Sequence, residues 1–208
     1  MHFSVKLLPI LISPQLDCIW INIPKNASSF MQKILQDNGW REPDSSIRLD
    51  LLNSSIRKLC IFRNPVERWI SGFAECFMDM PEIIDLLDTP AFIKVVERSP
   101  IFDNHTELQS TFVINSTNLE YIHLRSVVDA NSFFTNVEQW IKENGGQADC
   151  GRWQDPINPS SNDEIKHMIN KKLKKIVEQN TLLRASLDNF FSPDVELINK
   201  ARRISYGN

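Results

Sequence analysis

Apolar positions along this chain come in two patterns, and each predicts a different element. Short, nearly continuous blocks at residues 18–23 (Cys18-Ile19-Trp20-Ile21-Asn22-Ile23), 58–63 and 119–124 predict buried strands. Elsewhere apolar residues return every three or four positions. Phe30, Met31, Ile34 and Leu35 mark one helix; Val66, Trp69, Ile70, Phe73, Cys76 and Phe77 mark one face of another over residues 66–78. Helices are also predicted over residues 81–87, 90–98, 131–143, 162–178, 181–191 and 193–203. Asn38-Gly39 and Asn144-Gly145-Gly146 stop helices. Pro24 ends the first strand because it cannot donate a ladder hydrogen bond, and Pro65 suits the first turn of a helix. Residues 41–55 read as a polar loop with a brief element at 47–52. Residues 105–112 read as a short helix or a loop, and residues 147–160 as irregular. Strand followed by helix, three times over, predicts an α/β fold. Its central sheet is expected to be parallel, flanked by helices on both faces, with a helical C-terminal part. At 208 residues, one domain over residues 1–208 is expected.

Composition narrows the function classes only slightly. A net charge of −3 argues against a general nucleic-acid binder. Cys18, Cys60, Cys76 and Cys150 have no C-x-x-C spacing, and Cys18 and Cys60 fall in strand-like runs as reduced core residues. His2, His123 and His167 show no H-x-x-x-H or His/Cys spacing, so no metal site is predicted. The apolar run at residues 7–12 is short and contains Pro9, which argues against a signal peptide. No stretch reaches the roughly 20 apolar residues that span a bilayer, so a soluble, cytoplasmic protein is expected. Lys171-Lys172-Leu173-Lys174-Lys175 predicts a solvated helix face, with a landing surface for an anionic glycan as the alternative.

Candidate chemistry begins where the first strand ends. Pro24-Lys25-Asn26-Ala27-Ser28-Ser29 joins a strand to a helix N-terminus, with Ser28 or Ser29 expected near the cap. Such a terminus gathers N–H groups and the positive end of the helix dipole, which suits an anion such as phosphate. The loop fails the P-loop pattern G-x-x-x-x-G-K-[ST], because it has neither glycine and Lys25 precedes the small residues.

A second anion motif follows the second strand: Arg63-Asn64-Pro65-Val66-Glu67-Arg68-Trp69-Ile70-Ser71. Arg63 ends a strand, and Ser71 lies about two turns into the next helix. Ligands in open α/β sheets bind beyond the carboxyl ends of strands, so Arg63 is expected to face the same crevice as Lys25. A guanidinium holds phosphate through two parallel hydrogen bonds, as a lysine cannot.

The two motifs, in this order, resemble those of sulfotransferases that use 3′-phosphoadenosine 5′-phosphosulfate (PAPS), in the carbohydrate (Golgi-type) branch. That resemblance implies a P-loop-like three-layer fold. It implies that Pro24, Lys25, Asn26, Ala27, Ser28 and Ser29 hold the 5′-phosphosulfate, and that Arg63 and Ser71 hold the 3′-phosphate. Arg68 could reach phosphate or make a surface contact. The acceptor implied is a carbohydrate hydroxyl, and no metal is required. Members of the family also carry a His-x-x-x-Gln segment near the acceptor, which His105-Thr106-Glu107-Leu108-Gln109 resembles. His105 is then the candidate base, with Glu107 and Asp103 as alternatives, and Gln109 orients the base or the acceptor. Beyond residue 124 the resemblance rests on Asn158-Pro159-Ser160 and on Ser192-Pro193-Asp194-Val195-Glu196-Leu197. Two other readings of the same residues are a kinase-like nucleotide phosphotransferase and a non-catalytic anion- or glycan-binding module.

Overall fold

The computed structural model describes residues 10–113, 118–124, 130–147 and 163–204. His2, Cys150 and Asn158-Pro159-Ser160 lie outside them. The described residues gather into two compact units, one within Met1–Phe62, Phe112–Ile157 and Lys200–Asn208, the other within Arg63–Thr111 and Asn158–Asn199.

The first unit is built on a five-stranded, mostly parallel sheet in the order β1 (Ile10–Ile12), β2 (Cys18–Ile21), β3 (Arg57–Arg63), β4 (Leu119–Leu124) and β5 (Arg202–Ile204). The α/β class expected from the pattern is therefore observed. β2 runs parallel to β3, and β4 parallel to β5. β1 departs from the expected parallel sheet: it pairs antiparallel with β2, placing Ile10 opposite Ile21 and Ile12 opposite Ile19. The cause is the short connection, since a tight turn can only reverse the chain. The Ser13 hydroxyl accepts from the Asp17 and Cys18 N–H groups at 3.1 Å each and donates to the Asp17 carboxylate at 2.7 Å.

Both faces of the central strands are buried, which is why they read as unbroken apolar runs. One face carries Cys18, Trp20, Leu59, Ile61 and Ile122. Against it lie α1 (Ser28–Asp37), through Phe30, Met31, Ile34 and Leu35, and α6 (Ala130–Glu143), through Phe133, Val137, Trp140 and Ile141. Cys18 and Cys60 are buried free thiols, as expected. The C-terminal helix is shorter than residues 193–203. Its end is Lys200, and Arg202–Ile204 instead joins β4, with Glu120 accepting from Arg57 at 2.9 Å and Arg202 at 3.1 Å. Tertiary pairing overrides the helical pattern there. Residues 41–55 contain a 3₁₀ turn at Ser45–Ile47 and α2 (Arg48–Asn53).

The second unit is helical. It comprises α3 (Pro65–Cys76), α4 (Ile83–Leu86), α5 (Pro90–Arg98), α7 (Asp163–Gln179), α8 (Thr181–Phe190) and α9 (Ser192–Lys200). Within residues 105–112, only a 3₁₀ turn forms, at Gln109–Val113. Val66, Trp69, Ile70 and Phe73 of α3 share a core with Ile169, Leu173 and Val177 of α7 and Leu183 and Leu187 of α8. Asn64 caps α3 by accepting from the Glu67 N–H at 3.0 Å, and Pro65 occupies its first turn, where a missing N–H costs little. On the lysine-rich helix, Lys171, Lys174 and Lys175 are exposed, while Lys172 reaches the Ile84 carbonyl at 2.7 Å and Asp88 at 3.1 Å. Among the described residues, no helix is long and apolar enough to cross a membrane.

Candidate functional site

In the first unit, the loop after β2 takes a conformation that its sequence does not advertise. Lys25 (φ 66°) and Ala27 (φ 56°) are both left-handed, a region that disfavours L-residues by about 1–2 kcal/mol each. Glycine would enter it freely, so this loop reaches by strain what a glycine-rich loop reaches without it. Asn26 anchors the turn. It is buried, and its Nδ2 donates to the Ile61 carbonyl of β3 at 2.7 Å. Neither Ser28 nor Ser29 is the cap of α1. The cap is left-handed Ala27, with no side-chain hydrogen bond, and both serines stand in the first turn. The positive end of a ten-residue helix is thus preceded by a strained backbone turn rather than by a capping hydroxyl.

In the second unit, Arg63 is held by its backbone. Gln109, fully buried, accepts from the Arg63 N–H at 3.1 Å and donates to the Arg63 carbonyl at 2.9 Å. Asp194 holds Gln109 in turn, accepting from the Gln109 N–H at 2.9 Å and the Ser110 N–H at 2.8 Å. Gln109 therefore positions the end of β3, a role that sequence reasoning did not assign to it. Asp194 was legible only as part of a weak family pattern. The Arg63 guanidinium keeps about a quarter of its side chain exposed and lies 3.8 Å from Glu67. Burial pulls its pKa down, and Glu67 opposes that shift. Ser71 follows Glu67 by one helical turn, so the two lie along one side of α3, with the Arg63 guanidinium beside Glu67.

Arg68 makes no surface contact. It is completely buried, donating to the Glu107 carbonyl and to the Asn104 carbonyl at 3.3 Å. Burial pushes its pKa down to about 10 while Asp194 and Glu107 favour the charged form, so it remains a cation at neutral pH. One turn on, Gly72 faces the same loop, where an added Cβ would lie 2.1 Å from the His105 carbonyl oxygen. One turn further, the Cys76 sulfur lies within 4.8 Å of the Asp103 carboxylate and the His105 ring. Arg68, Gly72 and Cys76 form an i, i+4, i+8 stripe devoted to residues 103–107.

That loop is also fixed from within. Buried Thr106 accepts through its hydroxyl from the Phe102 N–H at 2.8 Å and the Asp103 N–H at 3.0 Å. Asp103 accepts from the His105 N–H at 2.8 Å and contacts His105 Nδ1 at 2.6 Å. Burial alone would raise the Asp103 carboxyl. Hydrogen bonds from the Cys76 thiol and from the ring and backbone of His105 outweigh it and hold the carboxyl below its ordinary value. The carboxylate is thus an acceptor only, so Nδ1 meets it as an N–H donor. Burial, and then Asp103, push the Cys76 thiol up to about 12. The sequence shows Asp103 and His105 as neighbours, but nothing in it brings Cys76 to them.

Lys25 belongs to the first unit; Arg63, Ser71, His105 and Gln109 belong to the second. No protein-family model, curated protein or solved structure matches this chain.

Proposed function

We propose that this chain moves a sulfuryl group from PAPS to a hydroxyl, with a carbohydrate as the acceptor class, on a P-loop-like three-layer fold. The observation that carries this reading is the loop of residues 24–29, which sets two left-handed residues, Lys25 and Ala27, before an α1 terminus with no side-chain cap. Paired with a strand-end arginine and the helical Ser71, it supplies the anion-binding groups that a doubly phosphorylated nucleotide requires. The resemblance of both motifs to PAPS-dependent sulfotransferases selects that nucleotide over ATP.

Each group then has a part. Pro24, Asn26 and Ala27 shape the loop, Ser28 and Ser29 supply first-turn N–H groups, and Lys25 meets the 5′-phosphosulfate. Arg63 and Ser71 take the 3′-phosphate, with Gln109 and Asp194 fixing the arginine's backbone. Arg68 holds the 104–107 loop. The acceptor oxygen attacks sulfur as its proton passes to His105 Nε2. The bond from sulfur to the bridging oxygen breaks, and the charge left on the phosphate is met by Lys25. Sulfuryl transfer of this kind depends on position and charge stabilisation more than on covalent catalysis.

The testing experiment compares nucleotides by thermal shift. The desulfated product, 3′,5′-bisphosphoadenosine, is expected to raise the melting temperature more than AMP or ATP does. Arg63→Ala removes charge-assisted bonds worth about 1.5–3 kcal/mol, so bisphosphate affinity should fall roughly ten- to a hundredfold. Equal stabilisation by AMP would overturn the assignment of Arg63 and Ser71.

Lys25 is expected to act mainly as the leaving phosphate gains charge. Lys25→Ala should lower transfer of labelled sulfate from PAPS far more than it weakens bisphosphate binding. A variant with normal turnover would show that the loop lysine takes no part.

A further inference from the structure

We propose that Cys76, Asp103 and His105 form a site for one divalent transition-metal ion of the zinc class, with a fourth position left open. Their ligating atoms all lie within 4.8 Å of one another, and all three side chains are half-buried. Two independently fixed pieces of backbone meet here. Cys76 ends α3, on the stripe where Arg68 and Gly72 clamp the loop, while Thr106 and the Asp103 turn hold the loop's own shape. One sulfur, one imidazole nitrogen and one carboxylate oxygen suit zinc or cobalt. Calcium and magnesium require a shell of oxygens that a single carboxylate does not provide.

Without an ion, His105 Nδ1 lies 2.6 Å from Asp103, with the Cys76 sulfur within 4.8 Å of both. A tetrahedral ion with bonds of about 2.0–2.3 Å sets its ligand atoms about 3.3–3.6 Å apart. The cluster therefore needs side-chain rotation and no backbone movement. On binding, the Cys76 thiol releases one proton to solvent. The ion takes the place of the proton on His105 Nδ1, and that proton passes through solvent to Nε2, so the ring stays neutral. Thiolate and carboxylate together balance the 2+ charge. An ion so held removes the Nε2 lone pair, so on the proposed function, which this one consequence rests on, the loaded form is inactive.

The test uses the full chain, stripped with a chelator and titrated with Co²⁺ alone, and is read by absorption rather than by activity. One equivalent is expected to give a thiolate-to-cobalt charge-transfer band and intense tetrahedral ligand-field bands, both lost on addition of Zn²⁺. Cys76→Ser should abolish the charge-transfer band, and Asp103→Asn or His105→Asn should weaken binding by at least roughly 10–100-fold. On the unmodified chain, Zn²⁺ should protect Cys76 from alkylation in a peptide-mapped assay, a readout that does not depend on any variant folding. Absence of a saturable charge-transfer band, its persistence in Cys76→Ser, or alkylation of Cys76 at the same rate with and without Zn²⁺ would each overturn the site. None of these outcomes bears on whether the chain transfers sulfuryl groups, which the nucleotide comparison decides separately.

Discussion

Asp194→Ala is expected to lower the urea midpoint of the second unit by an amount corresponding to roughly 1–3 kcal/mol for each of the two buried N–H groups it leaves without an acceptor. Asp194 is fully buried and accepts from the Gln109 and Ser110 N–H groups at 2.9 and 2.8 Å. It also favours the charge on buried Arg68. Alanine strands both N–H groups and removes a charge that favours the buried guanidinium. Asp194→Asn keeps one acceptor oxygen and the side-chain volume, so it should cost less than the alanine change. Because Gln109 grips both backbone groups of Arg63, the loss should also weaken bisphosphate binding beyond what stability alone explains. A midpoint within the equivalent of about 1 kcal/mol of the parent chain would show that the clamp contributes little, as an average hydrogen bond does.

His105→Ala is expected to cut turnover by about two orders of magnitude or more while leaving bisphosphate binding intact. The argument is geometric. Asp103 accepts from Nδ1, so the ring's other nitrogen is the one available to take a proton from a hydroxyl. The loop that presents it is held by Arg68, Gly72 and Thr106, which gives the ring a defined place before any substrate arrives. Asp103 acts through the ring, so Asp103→Asn should reduce turnover less than His105→Ala and should shift the ring's nitrogen-15 pattern away from the Nδ1–H tautomer. Glu107 contributes its carbonyl to Arg68, and Glu107→Ala should leave turnover near that of the parent. If His105→Ala changes turnover less than about threefold while Glu107→Ala or Asp103→Asn abolishes it, the base has been misassigned.

Local chemistry was enough to read most of the elements. Pro90 to Arg98 and Leu119 to Leu124 form the helix and strand that their spacing predicts, and Asn64-Pro65 opens α3 where capping requires it. These are short-range decisions, made by side-chain period, caps and turn residues within a few positions. The two anion motifs were legible for the same reason, since each is a strand end, a turn and a helix start in continuous sequence. What the motif residues do was set elsewhere. Gln109 reads as an acceptor-site residue until Arg63, 46 positions earlier, and Asp194, 85 positions later, close around it. Arg68 reads as a surface or phosphate arginine until the carbonyls of residues 104 and 107 fold over it. Cys76 meets Asp103 and His105 only because Gly72, lacking a Cβ, lets the loop lie against α3. The antiparallel edge of β1 and the three-residue β5 were equally hidden, because such short strands take their conformation from the neighbour they pair with. Sequence patterning by itself determined most of the helices and the central strands of this chain. Only the tertiary structure decided which polar side chains are buried and whom they hold, because that depends on partners brought together by the closure of loops tens of residues long.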